Sequence, residues 1–241
     1  MNLVEALAAA RSAGALVAQV QGDCGIFAFW YATVLLRYCG DTRPPVYPRK
    51  HPRPGVEWKD KAHPERSVRE WAKKHLHSGQ GEILTTPEMT AMIAAHGYRP
   101  IPARGPDAIG DLIAMGHPVL ICYSINGGLP EANPTGAHAH WSLIVACDGS
   151  TCRVVNPHDP YVDNSWSLAT LLASNRAVDD YSFERYWFKR AAGDLISETN
   201  MRAWLHLDKT APIPRGAYVT RYDIGQDNRS QALRGAIIGV S

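Results

Sequence analysis

The sequence predicts an α+β protein, helical in its first half and an antiparallel sheet in its second. Helical apolar periodicity and helix caps concentrate before residue 117. Short apolar or alternating segments bounded by turn residues follow. Helices first and strands later, without βαβ alternation, is the order of helices packed on an antiparallel sheet. With 241 residues, 45% apolar and 20% charged, the chain can bury one core. A single domain over 1–241 is expected, helical over about 1–116 and sheet-forming over about 117–241.

Residues 3–18 form an Ala-rich segment that predicts a helix. Its start lacks a basic leader and carries Glu5 and Arg11, so it is not expected to act as a secretory signal. Residues 24–38, CGIFAFWYATVLLRY, are apolar on nearly every side, with Asp23 as N-cap and Gly40 as a stop. Such a helix belongs at the centre of a domain. Residues 41–66 contain six prolines, which rules out a regular helix or central strand and predicts a long surface loop. Helices are expected again over 66–77, over 87–96 behind Thr86-Pro87, and over 106–116. PVLICYS (118–124) predicts a fully buried strand, and the Gly/Pro/Asn-rich 126–137 a loop. WSLIVAC (141–147) and TCRVVN (151–156) flank Asp148-Gly149-Ser150, a hairpin signal. A helix capped by Ser165 should reach about 174, and YWFK, AYVTRY and AIIGV read as later strands.

Composition also excludes functions. A formal charge of +2 and the absence of a long Lys/Arg run argue against nucleic acid as a partner. No run of about eighteen apolar residues predicts a transmembrane segment. Five scattered cysteines fit a reducing compartment rather than a disulfide scaffold, so the expected folding environment is cytoplasmic. Export without a cleaved leader would leave the same sequence.

Cys24 opens the buried helix. A helix N-terminus presents unpaired N–H groups and partial positive charge, which stabilises a thiolate. Gly25 removes a side chain beside the sulfur, where a substrate carbonyl would approach. A thiolate needs a base and an orienting group. If 148–150 is the turn, His140 and Asn156 become neighbours across the hairpin mouth. The Asn oxygen can accept from the imidazole and fix its tautomer. For the oxyanion, the Cys24 N–H and a glutamine side chain, Gln19 or Gln21 with Gln19 preferred, are the donors. Trp141 is placed to cover the His140–Asn156 bond.

Together QVQGDCGIFAFWYATVLL, PVLICYS, AHAHWSLIV and VVNPH resemble the papain-like cysteine peptidase superfamily over about 15–160. Within it they are most similar to bacteriocin-leader-processing peptidases and the actin maturation protease group. The resemblance implies a papain-like fold and assigns Gln19, Cys24, His140 and Asn156 as catalytic residues, with a peptide or protein as substrate and no cofactor. The Gln-to-Cys spacing is one shorter than in papain and like that of the actin maturation group. The third member is Asn, as in papain, and not the Asp of many leader peptidases. The 41–66 insertion has no match. Rival expectations are an acyltransferase or transglutaminase-like enzyme with the same triad, and an inactive papain-like binding protein. A zinc site from His138, His140, Cys147 and Cys152 is disfavoured, because strand alternation sends them to different faces.

Overall fold

Capping chemistry sets most helix boundaries. In the computed structural model, residues 1–19, 23–48, 67–76, 83, 85–126, 129–130, 139–178, 186–189, 195–197, 202, 205–208, 210–212, 220–223 and 233–241 are described. Helix α1 (Leu3–Ser12) begins with a capping box between Asn2 and Glu5 and ends before Gly14, whose φ of 63° turns the chain away. It is shorter than the 3–18 expected. Helix α2 (Cys24–Tyr38) has the expected bounds, although the Asp23 side chain makes no capping bond. Helix α3 (Val68–His75) starts from Ser67. Helix α4 (Thr86–Ala95) is capped by Thr85 rather than Thr86, because Glu88 completes the capping box three residues on. Helix α5 spans Pro106–Ala114.

Strands are β1 (Pro100–Pro102), β2 (Val119–Asn126), β3 (Leu129–Pro130), β4 (Ala139–Cys147), β5 (Thr151–Asn156) and β6 (Asp159–Ser167). Helix α6 (Leu168–Arg176) follows, then β7 (Tyr186–Lys189), β8 (Leu195–Ser197), β9 (Thr220–Asp223) and β10 (Ile237–Val240). Ser165 does not cap a helix. It lies on β6 opposite Arg153, and Ser167 takes the cap of α6. The main sheet is antiparallel in the order β1-β10-β2-β4-β5-β6, with β3 on β2; β8-β7-β9 form a second sheet. The chain's last strand therefore inserts between β1 and β2, so the division near residue 116 is not clean. Much of the loops 41–66 and 126–137 lies outside the described residues.

The main sheet carries helices on both faces, not on one. One core layer joins Leu7, Phe27, Phe29, Tyr31 and Met92 to Leu120, Trp141, Leu143 and Val155. The other joins Ile109 and Leu171 to Val119, Ile121, Ile144 and Val154. That two-sided cover explains why 118–124 is apolar without alternation. It also explains α2, which lies between α1 and β4 and buries most of its circumference. Each buried Phe in α2 contributes roughly 2–3 kcal/mol of hydrophobic transfer energy.

Hairpin β4–β5 turns at Gly149, whose φ is 91°, with Asp148 Oδ1 accepting from the Ser150 and Thr151 N–H groups. Cys147 faces Cys152 beside this turn. Farther along, the register shifts between Ile144 and Ala146, after which Ile144 faces Val154 and Leu143 faces Val155. Continued by one pair, this register sets Asn156 opposite Ser142, on the face of His140. Without the bulge, Asn156 would share a face with Leu143 and Trp141 instead.

Candidate active site

The mouth of this hairpin meets the head of α2. The Trp141 N–H donates to Cys24 Sγ at 3.5 Å. Bond geometry then places the sulfur within about 6 Å of the His140 Cα. Cys24 is half-buried, whereas His140 and Asn156 are 2% and 6% exposed.

His140 Nε2 lies 3.0 Å from Asn156 Oδ1, and the His158 backbone N–H donates to the same oxygen at 2.9 Å. The backbone N–H can only donate, so the Asn156 atom facing both is an acceptor. Nε2 must then carry the hydrogen of a neutral imidazole, and Nδ1 keeps its lone pair. Asn156-Pro157-His158-Asp159 is a tight turn between β5 and β6, with Asn and Pro in the positions that favour it. The turn thus locks the Asn156 side chain before it meets His140.

Burial, followed by the neighbouring His158, pushes the His140 pKa down to about 4, opposed by the hydrogen bond to Asn156. A resting imidazolium is disfavoured unless a thiolate balances it. Burial also holds Tyr123 and Cys122 protonated, helped by any negative charge on Cys24. The Tyr123 hydroxyl pairs with Ser142 Oγ at 2.8 Å, and its ring meets His140 edge-on at 5.9 Å.

Gln19 is half-buried and tied to the Asn156 turn: its N–H donates to the Pro157 carbonyl at 2.7 Å. Tyr31 and Tyr161 hold the Val17 and Leu16 carbonyls at 2.6 and 2.7 Å. Segment 15–19 is thereby fixed on the strand turn beside the site. Gln21 and His138 lie outside the described residues. Among the described residues, no three His, Cys, Asp or Glu side chains are grouped as metal ligands. Nor is any helix there long and apolar enough to cross a membrane.

Gly25 packs against Trp141, and Trp141 sits differently from expectation. Both are buried, and a Cβ on Gly25 would stand 3.0 Å from Ile83 Cβ and 3.1 Å from Trp141 Cδ1. Close packing therefore favours the glycine. The Trp141 indole N–H donates to the Ile83 carbonyl at 3.3 Å, and the ring joins the core layer of α2. Strand alternation puts it on the face opposite His140, so it does not cover the His140–Asn156 bond. His158 does, its ring stacked on His140 at 4.7 Å with 4° between planes. The signal that finds His158 is the Asn-Pro turn, which swings the residue after Pro back over the Asn. Compared with known proteins, the chain matches no family model and no curated protein.

Proposed function

We propose that this chain is a papain-like cysteine peptidase that hydrolyses a peptide or related amide bond through a Cys24 thioester. One observation carries the reading: Cys24, at the head of α2, meets the backbone of a strand whose His140 is hydrogen-bonded to Asn156.

The chemistry follows from the tautomer. With Nε2–H held by Asn156, Nδ1 accepts the Cys24 thiol proton as sulfur bonds to the substrate carbonyl carbon. The electron pair of the carbonyl moves to oxygen, where the Cys24 N–H and Gln19 act as donors. The tetrahedral centre collapses, the C–N bond breaks, and His140 gives its proton to the departing amine. Water then adds to the thioester carbon, His140 takes a water proton, and the C–S bond breaks to return the thiol. Because burial disfavours an isolated imidazolium, proton transfer is coupled to formation of the thiolate charge. No metal or organic cofactor enters these steps. The substrate is a peptide or protein segment, and the cytoplasm is the folding environment assigned to the chain.

The test is cleavage of a peptide library by the wild type and by Cys24→Ala. The wild type should cleave a subset of peptides and Cys24→Ala none, with the variant keeping its circular dichroism spectrum. Near-normal cleavage by Cys24→Ala would end the proposal. An added amine that diverts the acyl group from water would instead mark an acyltransferase.

A further inference from the structure

We propose that His158 is a positioning residue for His140, clamping the imidazole against Asn156 and laying a second titratable ring against it. The inference rests on the peptidase reading, since it gives His158 a part in the same proton transfer.

Two observations carry it. The His158 ring lies flat over the His140 ring, 4.7 Å between centroids and 4° from parallel. The His158 backbone N–H shares the Asn156 oxygen with His140. One residue therefore fixes the acceptor and covers the bond that the acceptor makes. The edge of Tyr123 meets His140 as well, so an aromatic edge and an aromatic face both restrict the imidazole. Shielding from water strengthens the Nε2–H···Oδ1 bond and keeps Nδ1 aimed away from it.

The two histidines differ in exposure: His158 is exposed and His140 buried. Desolvation of its ring lowers the His158 pKa, and burial followed by the neighbouring His158 lowers that of His140 to about 4. A proton on His158, stacked on the second ring, opposes a proton on His140. The groups facing this pair are Cys24 from α2, Cys122 and Tyr123 from β2, Ser142 and Asn156 from the hairpin, and Asp159 beside His158 in the chain. Burial holds Cys122 and Tyr123 neutral, and His158 is the titratable ring stacked directly on His140.

The experiment follows the His140 imidazole by long-range proton–nitrogen NMR in Cys24→Ala protein, where no thiol titrates beside it. His158→Phe keeps the flat cover and removes the charge. His158→Ala removes both. The His140 midpoint should rise in both, with the hydrogen-bonded Nε2 proton retained in His158→Phe and exchanging rapidly in His158→Ala. With Cys24 present, the acid limb of kcat/KM should move to higher pH in His158→Phe by the same amount. In His158→Ala, kcat should fall about tenfold while KM stays within about twofold, the split expected when orientation is lost and binding is kept. An unchanged His140 midpoint in both variants would overturn the inference, as would a shifted midpoint with an unmoved acid limb. Failure of the wild type to cleave any peptide would refute the peptidase reading, and the titration would still decide the role of His158.

Discussion

At His140 the protein holds an imidazole in a place hostile to its charged form. Burial and His158 both disfavour imidazolium, while Asn156 favours it. Catalysis as the base requires neutral His140, so kcat/KM should fall with pH only near about 4, well below the ordinary histidine value of 6.5. Asn156→Asp places a negative charge on the imidazole, which favours its protonation, so the acid limb should move to higher pH. Asn156→Ala leaves the tautomer unfixed and should lower kcat roughly tenfold to a hundredfold. A pH–rate profile on one peptide substrate reads all of these, and an unmoved limb in Asn156→Asp would contradict the assignment. Gln19 is tied to the same turn, and with its proposed role as oxyanion donor Gln19→Ala should cost on the order of a hundredfold in kcat.

Two local features of the elements hold these residues together. The bulge between Ile144 and Ala146 puts Asn156 on the face of His140. Deleting Val145 removes the extra residue, sends one of the pair to the other face, and should abolish the His140–Asn156 proton signal along with activity. Gly25 lets α2 approach Ile83 and Trp141. Gly25→Ala should destabilise the fold by about 1–3 kcal/mol despite the better helix propensity of Ala, a loss read as a lower Tm. Helix α2 was legible in the sequence because an all-round apolar run can only be central, and the hairpin because Asp-Gly-Ser marks its turn. The bulge was not: Val145 and Ala146 continue an apolar run buried on both sides, which hides the change of phase. Strand β6 was missed because Asp159–Ser167 is polar and mostly exposed, like a loop.

Across the whole molecule, the candidate site is assembled because chain segments far apart in sequence are pinned to one end of the sheet. Gln19 bonds Pro157, and Arg11 reaches the Pro160 and Val162 carbonyls and Asp163. Sequence order alone suggested the Cys…His…Asn set, because the hairpin brings two of its members together. His158 escaped notice because its importance lies in a turn conformation rather than in a spacing. Burying His140 also makes stability depend on pH. The unfolded chain gains a proton near 6.5 and the folded one only near about 4. This contribution is complete above about 6.5 and lost as pH falls toward 4, on the order of 3 kcal/mol. Thermal scans between these limits should show a falling Tm, with a shallower decline in His140→Gln. Whether His140 activates the Cys24 thiol is read by alkylation of the native protein with iodoacetamide at neutral pH, each cysteine followed by mass spectrometry. Cys39 and Cys147 are half-buried like Cys24 and serve as internal controls. Cys24 should react much faster than either, and His140→Ala should remove the difference. Equal rates at the three cysteines, or a fast Cys24 indifferent to His140→Ala, would contradict this activation.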